Sequence, residues 1–214
     1  MRRNYILIAA LLIVATLIVT LIFYPDLPSR IPMHWNWRGQ VNRYGDKWEI
    51  FLMPAAMVVV VLLFAAMPWL SPRRFEVNTF RTTYLYVMLL ALAFMAYIHA
   101  LHLWAAFSKP LDMNRSLMIA ACLVLILLGN VLGRVRRNFY IGVRTPWALA
   151  SEKVWDATHR FAARAFVLAG LLGLLSMIVS SSALAGMVIL GAALLASALY
   201  SLVYYKRLER RNEL

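Results

Sequence analysis

Cysteine occurs once in the chain, at Cys122, inside an apolar run. A single thiol has no partner for an intramolecular disulfide, so its expected role is that of a small apolar filler. Charge is scarce as well. Charged residues make up 14% of the 214, where a soluble domain carries about a quarter. Acid is the rarer sign, with 9 Asp and Glu against 22 Lys and Arg. There is no nucleophile motif, no Gly-rich phosphate loop and no His-Glu-x-x-His, so catalysis is not the first expectation.

Long apolar runs are abundant. Hydrophobic residues reach 63%, more than one water-facing core can hide. A spanning helix needs about 20 mostly apolar residues, and six stretches qualify. They run from about Asn4 to Tyr24, Ile50 to Leu70, Thr82 to Phe107, Ser116 to Gly133, Ala163 to Ile178 and Ala183 to Tyr204. The first follows Arg2 and Arg3 but is too long for a signal-peptide core and lacks a small-x-small cleavage site, so it reads as an uncleaved helix. Pro25 and Pro28 end it. Short turns are expected at Ser71–Asn78, which carries Arg73 and Arg74, at Ser108–Arg115, and at Ser180, Ser181 and Ser182. The expected fold is an all-α polytopic membrane bundle of about six transmembrane helices, one membrane domain over 1–214. Within it, 1–70 forms a two-helix unit with a polar loop at 25–49, and 116–182 a second unit with a polar loop at 134–160.

Orientation follows from basic residues in the loops. Sixteen of the 22 Lys and Arg fall on one side, which includes both chain ends, Arg73, Arg74, Arg81, the segment from Arg134 to Arg164 and the tail. The expectation is N-in and C-in, in a cytoplasmic (inner) membrane. The 25–49 loop then lies outside and the 134–160 loop inside. The net charge of +13 is thus a topology signal that also draws anionic lipid headgroups, and direct nucleic-acid binding is not expected. No Asp, Glu, Lys or Arg lies deep within a span, which argues against an intramembrane proton relay. Recognition is left to the two loops.

The outer segment holds three early prolines, then Trp35, Trp37, Tyr44 and Trp48. Such rings suit a membrane interface, and aromatic residues with Arg are frequent binding anchors. Gly39 and Gly45 fit turns with positive φ. The candidate binding residues are Pro32, His34, Trp35, Asn36, Gly39 and Arg43, for an extracellular peptide or lipid headgroup. The bland alternative is an ordered interfacial cap.

In the inner segment, Gly142 and then Thr145-Pro146 punctuate a turn. Ser151 can cap a helix starting at Glu152. Helical spacing places Trp155 and His159 on one face and lets Asp156 pair with Arg160. The candidate binding residues are Asn138, Gly142, Arg144, Thr145, Pro146, Trp155 and His159. The bland alternative is an amphipathic interfacial helix leading into the fifth span.

The stretch Asn138-Phe-Tyr-Ile-Gly-Val-Arg-Thr-Pro-Trp-Ala-Leu-Ala-Ser-Glu-Lys-Val-Trp-Asp-Ala-Thr-His159 resembles the signature of the SdpI family, bacterial membrane proteins named for an immunity protein against a secreted toxic peptide. The stretch Leu27-Pro-Ser-Arg-Ile-Pro-Met-His-Trp-Asn-Trp-Arg-Gly39 resembles the uncharacterised N-terminal domain of longer family members. The resemblance implies immunity to, or sensing of, an extracellular peptide, with signalling by recruitment of a transcriptional repressor to the membrane. One departure stands out: Asn42 occupies a position where an Asp is expected after the glycine.

Two other classes of function stay open. His99 and His102 share a helix face and, with His34, could form a three-imidazole zinc site of a membrane-embedded metal-dependent hydrolase; otherwise no cofactor is expected. Alternatively, Arg-x-Pro followed by Lys and Trp recurs in both loops, at Arg30-Ile-Pro32 and Arg144-Thr-Pro146, as in a small inverted-repeat transporter.

Overall fold

The computed structural model describes residues 2–72, 77–107, 111–179 and 183–214. The expected turns at Arg73 and Arg74, at 108–110, and at Ser180, Ser181 and Ser182 lie outside the described residues. In chain order the elements are α1 (Arg2–Phe23), β1 (Arg30–Trp35), β2 (Val41–Asp46), a 3-10 turn (Lys47–Phe51), α2 (Leu52–Leu70), a second 3-10 turn (Val77–Phe80), α3 (Arg81–Ala106), α4 (Met113–Leu132), α5 (Pro146–Ala150), α6 (Glu152–Val179) and α7 (Ala183–Arg210).

Among the described residues, six helices are long and apolar enough to cross a membrane. Their outward surfaces are apolar: Ile22, Leu62, Ile178, Val179 and Val203 are all well exposed. Soluble monomers do not leave such area to water, whereas lipid chains cover it. The protein is an all-α, multi-pass membrane protein, with one addition. The first polar segment is a two-stranded antiparallel β-hairpin.

The chain forms two compact units. The first comprises 1–65 and 85–117, the second 66–84 and 118–214. In the first, Ala9, Met57, Met88 and Leu92 pack α1, α2 and α3 together. A second cluster, of Leu27, Ile31, Ile50, Leu103 and Ala106, seats the hairpin base on the end of α3.

In the second unit, small residues let helices approach. A Cβ at Gly129 would stand 2.7 Å from the Ala163 carbonyl oxygen, and one at Gly170 2.7 Å from that of Cys122. The backbones of α4 and α6 therefore meet almost directly. Cys122 is buried there with Met118 and Met177. The fifth span is longer than the apolar run suggests: the expected interfacial helix and the span form one unbroken α6 of 28 residues.

Candidate functional site

In the first unit the hairpin presents the polar residues. Its ladder pairs Arg30 with Asp46, Ile31 with Gly45 and Pro32 with Tyr44. The register then slips twice, between Pro32 and His34 and between His34 and Trp35. Such bulges accommodate a proline, which has no N–H for the ladder. The turn is held by Asn36, whose Oδ1 accepts from the Arg38 N–H at 2.9 Å and the Gln40 N–H at 3.0 Å. Gly39 sits at φ +78°, as expected for glycine. Asn114, in the first turn of α4, donates from Nδ2 to the Trp37 carbonyl at 2.7 Å and pins the tip.

The base of the hairpin is clamped by Glu49. Its Oε2 accepts from Arg43 at 2.6 Å and its Oε1 from the Asp46 N–H at 2.9 Å. Gly45 is glycine for space and not for positive φ. A Cβ there would meet Glu49 Oε1 at 2.2 Å. The expectation of a left-handed turn at Gly45 is thus corrected, because the residue lies within a strand. Neither Glu49 nor Asn114 emerged from the sequence as a positioning residue. Their contacts reach over several residues or between elements, and the capping pattern Asp46-x-x-Glu49 was the available signal.

Binding candidates distribute unevenly on this scaffold. Pro32 is buried and Trp35 half-buried, packed edge-on against His102 with ring centroids 5.1 Å apart. His34 and Arg43 are exposed. Trp37 is 78% exposed, with the Arg38 guanidinium 4.7 Å above its ring, and Tyr44 and Trp48 are also open. His34 Nδ1 bonds Asn42 Oδ1 at 2.6 Å. An amide oxygen therefore supplies the acceptor at the position where an Asp was expected.

The three histidines of the expected zinc set are not brought together. Among the described residues, no three His, Cys, Asp or Glu side chains are grouped to hold a metal ion. His34 faces Asn42, while His99 Nε2 bonds Thr20 Oγ1 at 2.7 Å and His102 Nδ1 bonds the Ile98 carbonyl at 3.0 Å. His99 and His102 share one cleft, and His34 is not part of its lining.

In the second unit the predicted residues converge. Asn138 is fully buried and organises the segment 136–141. Its Nδ2 donates to the Arg136 and Ile141 carbonyls at 2.7 and 3.1 Å, and its Oδ1 accepts from the Tyr140 and Ile141 N–H groups, both at 2.7 Å. His159 Nδ1 donates to the Trp155 carbonyl at 2.8 Å, and its Nε2 accepts from the Val143 N–H at 3.1 Å. This arrangement selects one tautomer of the neutral ring. Trp155 stacks on it at 3.9 Å and donates Nε1–H to the Val135 carbonyl at 2.8 Å. Gly142, at φ +116°, leaves room for the imidazole, since a Cβ there would lie 2.1 Å from His159 Nε2.

Thr145 caps α5, accepting from the Ala148 N–H at 3.2 Å. It also bonds Ser201 of α7 at 2.7 Å, and Ser201 passes its own proton to the Ala198 carbonyl at 2.6 Å. Pro146 occupies the first position of α5, where its missing N–H costs nothing. Arg144 is exposed and donates Nη1–H to the Phe139 carbonyl at 2.5 Å. Asp156 faces Arg136 at 3.9 Å, and the expected pairing with Arg160 is not made. The Ser201 contact and the Val135 acceptor were not legible locally, because both lie far away in sequence.

Two known families cover these segments. A domain of unknown function, DUF1648, matches residues 11–58, the whole hairpin included. The SdpI/YfhL protein family matches 134–205, with the entire Asn138–His159 network. The immunity protein SdpI of Bacillus subtilis (strain 168) is 27% identical over 210 residues, 97% of this chain and 98% of that one. The chain is a membrane protein similar to SdpI. The likeness runs through both units of the SdpI-like chain, while His99 and His102 fall outside both family segments. No solved structure matches it.

Proposed function

We propose that this SdpI-like protein confers immunity to a toxic peptide outside the cell and senses it through the hairpin. Both chain ends lie in the cytoplasm in this reading, as the bias of basic residues favours, and the membrane is the bacterial inner membrane. The observation that carries it is the hairpin itself. Its backbone is tied down at tip and base, and it holds Trp37, Arg38 and Tyr44 out to solvent, with Trp48 exposed in the 3-10 turn that follows. Preorganised aromatic and Arg side chains are the usual anchors for a peptide, because little order is lost on binding. The likeness to an immunity protein supports the same reading. The second segment, with exposed Arg144 beside its buried network, is the surface offered to a cytoplasmic regulator.

The test is genetic. A strain lacking the gene is challenged with peptides secreted by neighbouring strains, then complemented. The deletion strain should become sensitive. The wild-type gene should restore protection, and Trp37→Ala, present at wild-type level in the membrane, should not. Unchanged sensitivity on deletion removes the immunity reading. Arg144→Ala should keep protection while abolishing any transcriptional response to the peptide.

A further inference from the structure

A cleft of about 240 Å³ lies beneath the hairpin base, wholly within the first unit. Among its lining residues are Met33, Met53, Glu49, His99 and His102. His99 is only 2% exposed. Its Nε2 meets Thr20 Oγ1, and Thr20 donates its own proton to the Thr16 carbonyl at 2.7 Å. The Thr20 oxygen therefore accepts, and His99 carries its hydrogen on Nε2. Nδ1 is left with a lone pair, buried and without a hydrogen-bond partner among the described residues. Native interiors rarely leave such an acceptor idle. The Nε2 edge is engaged with α1, which contributes nothing to the cleft lining, so Nδ1 is the nitrogen that the ring has to offer there.

The neighbouring donors decide what ligand suits this nitrogen. Glu49 is committed to Arg43 and to the Asp46 N–H. His102 is committed to the Ile98 carbonyl and to the backbone of Met33. What remains is one imidazole nitrogen and two thioethers, Met33 and Met53. Thioethers do not suit Zn(II), Mg(II) or Ca(II), but they are preferred ligands of Cu(I), with imidazole a good companion. A singly charged ion also bears the smallest penalty for entering a site whose one carboxylate is already neutralised. Methionine side chains are flexible enough to converge on an ion.

We propose that this cleft binds a soft monovalent metal ion, Cu(I), through His99 Nδ1 and the thioethers of Met33 and Met53. The site stands independently of the immunity reading. Purified full-length protein in detergent is titrated with Cu(I) under reducing conditions against a chromophoric Cu(I) chelator, with Zn(II) as the contrasting ion. One Cu(I) per chain and no Zn(II) is the expected result. His99→Gln, Met33→Leu and Met53→Leu should each weaken Cu(I) by at least about tenfold, the loss that even an outer-shell change causes at other metal sites. Met57→Leu, at a buried methionine outside the cleft, should bind as wild type does. Leucine conserves methionine's volume, so Met53→Leu decides the matter even where His99→Gln fails to fold. Ag(I) should raise the melting temperature of the wild type and leave that of Met53→Leu unmoved. Absence of Cu(I) uptake by the wild type, or wild-type affinity in Met53→Leu, overturns the site.

Discussion

The two polar segments begin from similar ingredients and fold in opposite senses. Each is rich in Trp and Arg, and each contains an Arg-x-Pro step. Arg30-Ile-Pro32 enters a strand, whereas Arg144-Thr-Pro146 starts a helix. In the hairpin the backbone groups pair with each other across the ladder. Its side chains are then free to face outward, and Trp37 and Tyr44 do. In 136–145 the backbone is irregular, and its buried N–H and C=O groups need partners from elsewhere. Asn138, His159, Trp155, Arg144 and Thr145 all bond backbone atoms. The Asn138–His159 segment is therefore largely a device for satisfying a turn of backbone next to a membrane helix, while the hairpin satisfies its own backbone and leaves side chains exposed. Sequence motifs of equal prominence have different physical content.

Substitutions at four positions break or sharpen this contrast. Gly142→Ala should have the largest effect. The new methyl would stand on His159 Nε2 at a φ that side chains avoid, so a loss of about 3 kcal/mol is expected from backbone strain and the displaced hydrogen bond. Thermal unfolding of the solubilised protein measures it. Asn138→Ala follows, at about 2–3 kcal/mol, since it leaves buried carbonyl and N–H groups without partners. Asn138→Asp should not rescue it, because the carboxylate cannot donate to the Arg136 and Ile141 carbonyls. Equal stability of Asn138→Ala and wild type would refute the claim that this side chain organises the turn.

Gly45→Ala should be milder, about 1–2 kcal/mol, because the atoms it meets belong to the flexible side chains of Glu49 and Met33, which can shift at the expense of the Glu49 hydrogen bonds. Its signature is local: faster proteolysis of the hairpin with the second unit as resistant as before. Trp37→Ala should leave the melting temperature unchanged, the ring being exposed, and yet abolish protection against peptide. A fall in stability comparable to that of Asn138→Ala would show that Trp37 is part of the packing and not part of a display surface.

The hairpin marks where sequence reading fell short. Pro32 in one strand and Asn42, Gly45 and Asp46 in the other are poor strand formers, so local propensity pointed to a loop. Pairing two such segments depends on Asn36 closing the turn and on Glu49 and Asn114 holding each end, contacts that no local pattern encodes. In the second segment, the break at Gly142 and Thr145-Pro146 and the shared face of Trp155 and His159 were legible, because each follows from local backbone chemistry, whereas the helix that Thr145 caps was read as a turn. The His34, His99 and His102 set was not assembled, because helical spacing relates His99 to His102 but says nothing of where a loop residue comes to rest.

By itself the sequence determined the membrane class and the six spanning helices, since length and apolarity must match a bilayer whatever the helices pack against. It also determined the stop at the end of the first span, where Pro25 and Pro28 act within a few residues. Tertiary structure alone decided that the first polar segment is a ribbon, and that Asp156 faces Arg136 rather than Arg160. It decided too that His99 gives one nitrogen to Thr20, 79 residues away, and keeps the other free. Hydrogen bonds reach only about 3 Å, so the partner of a buried polar atom is settled by which distant residues the packed helices bring within that reach.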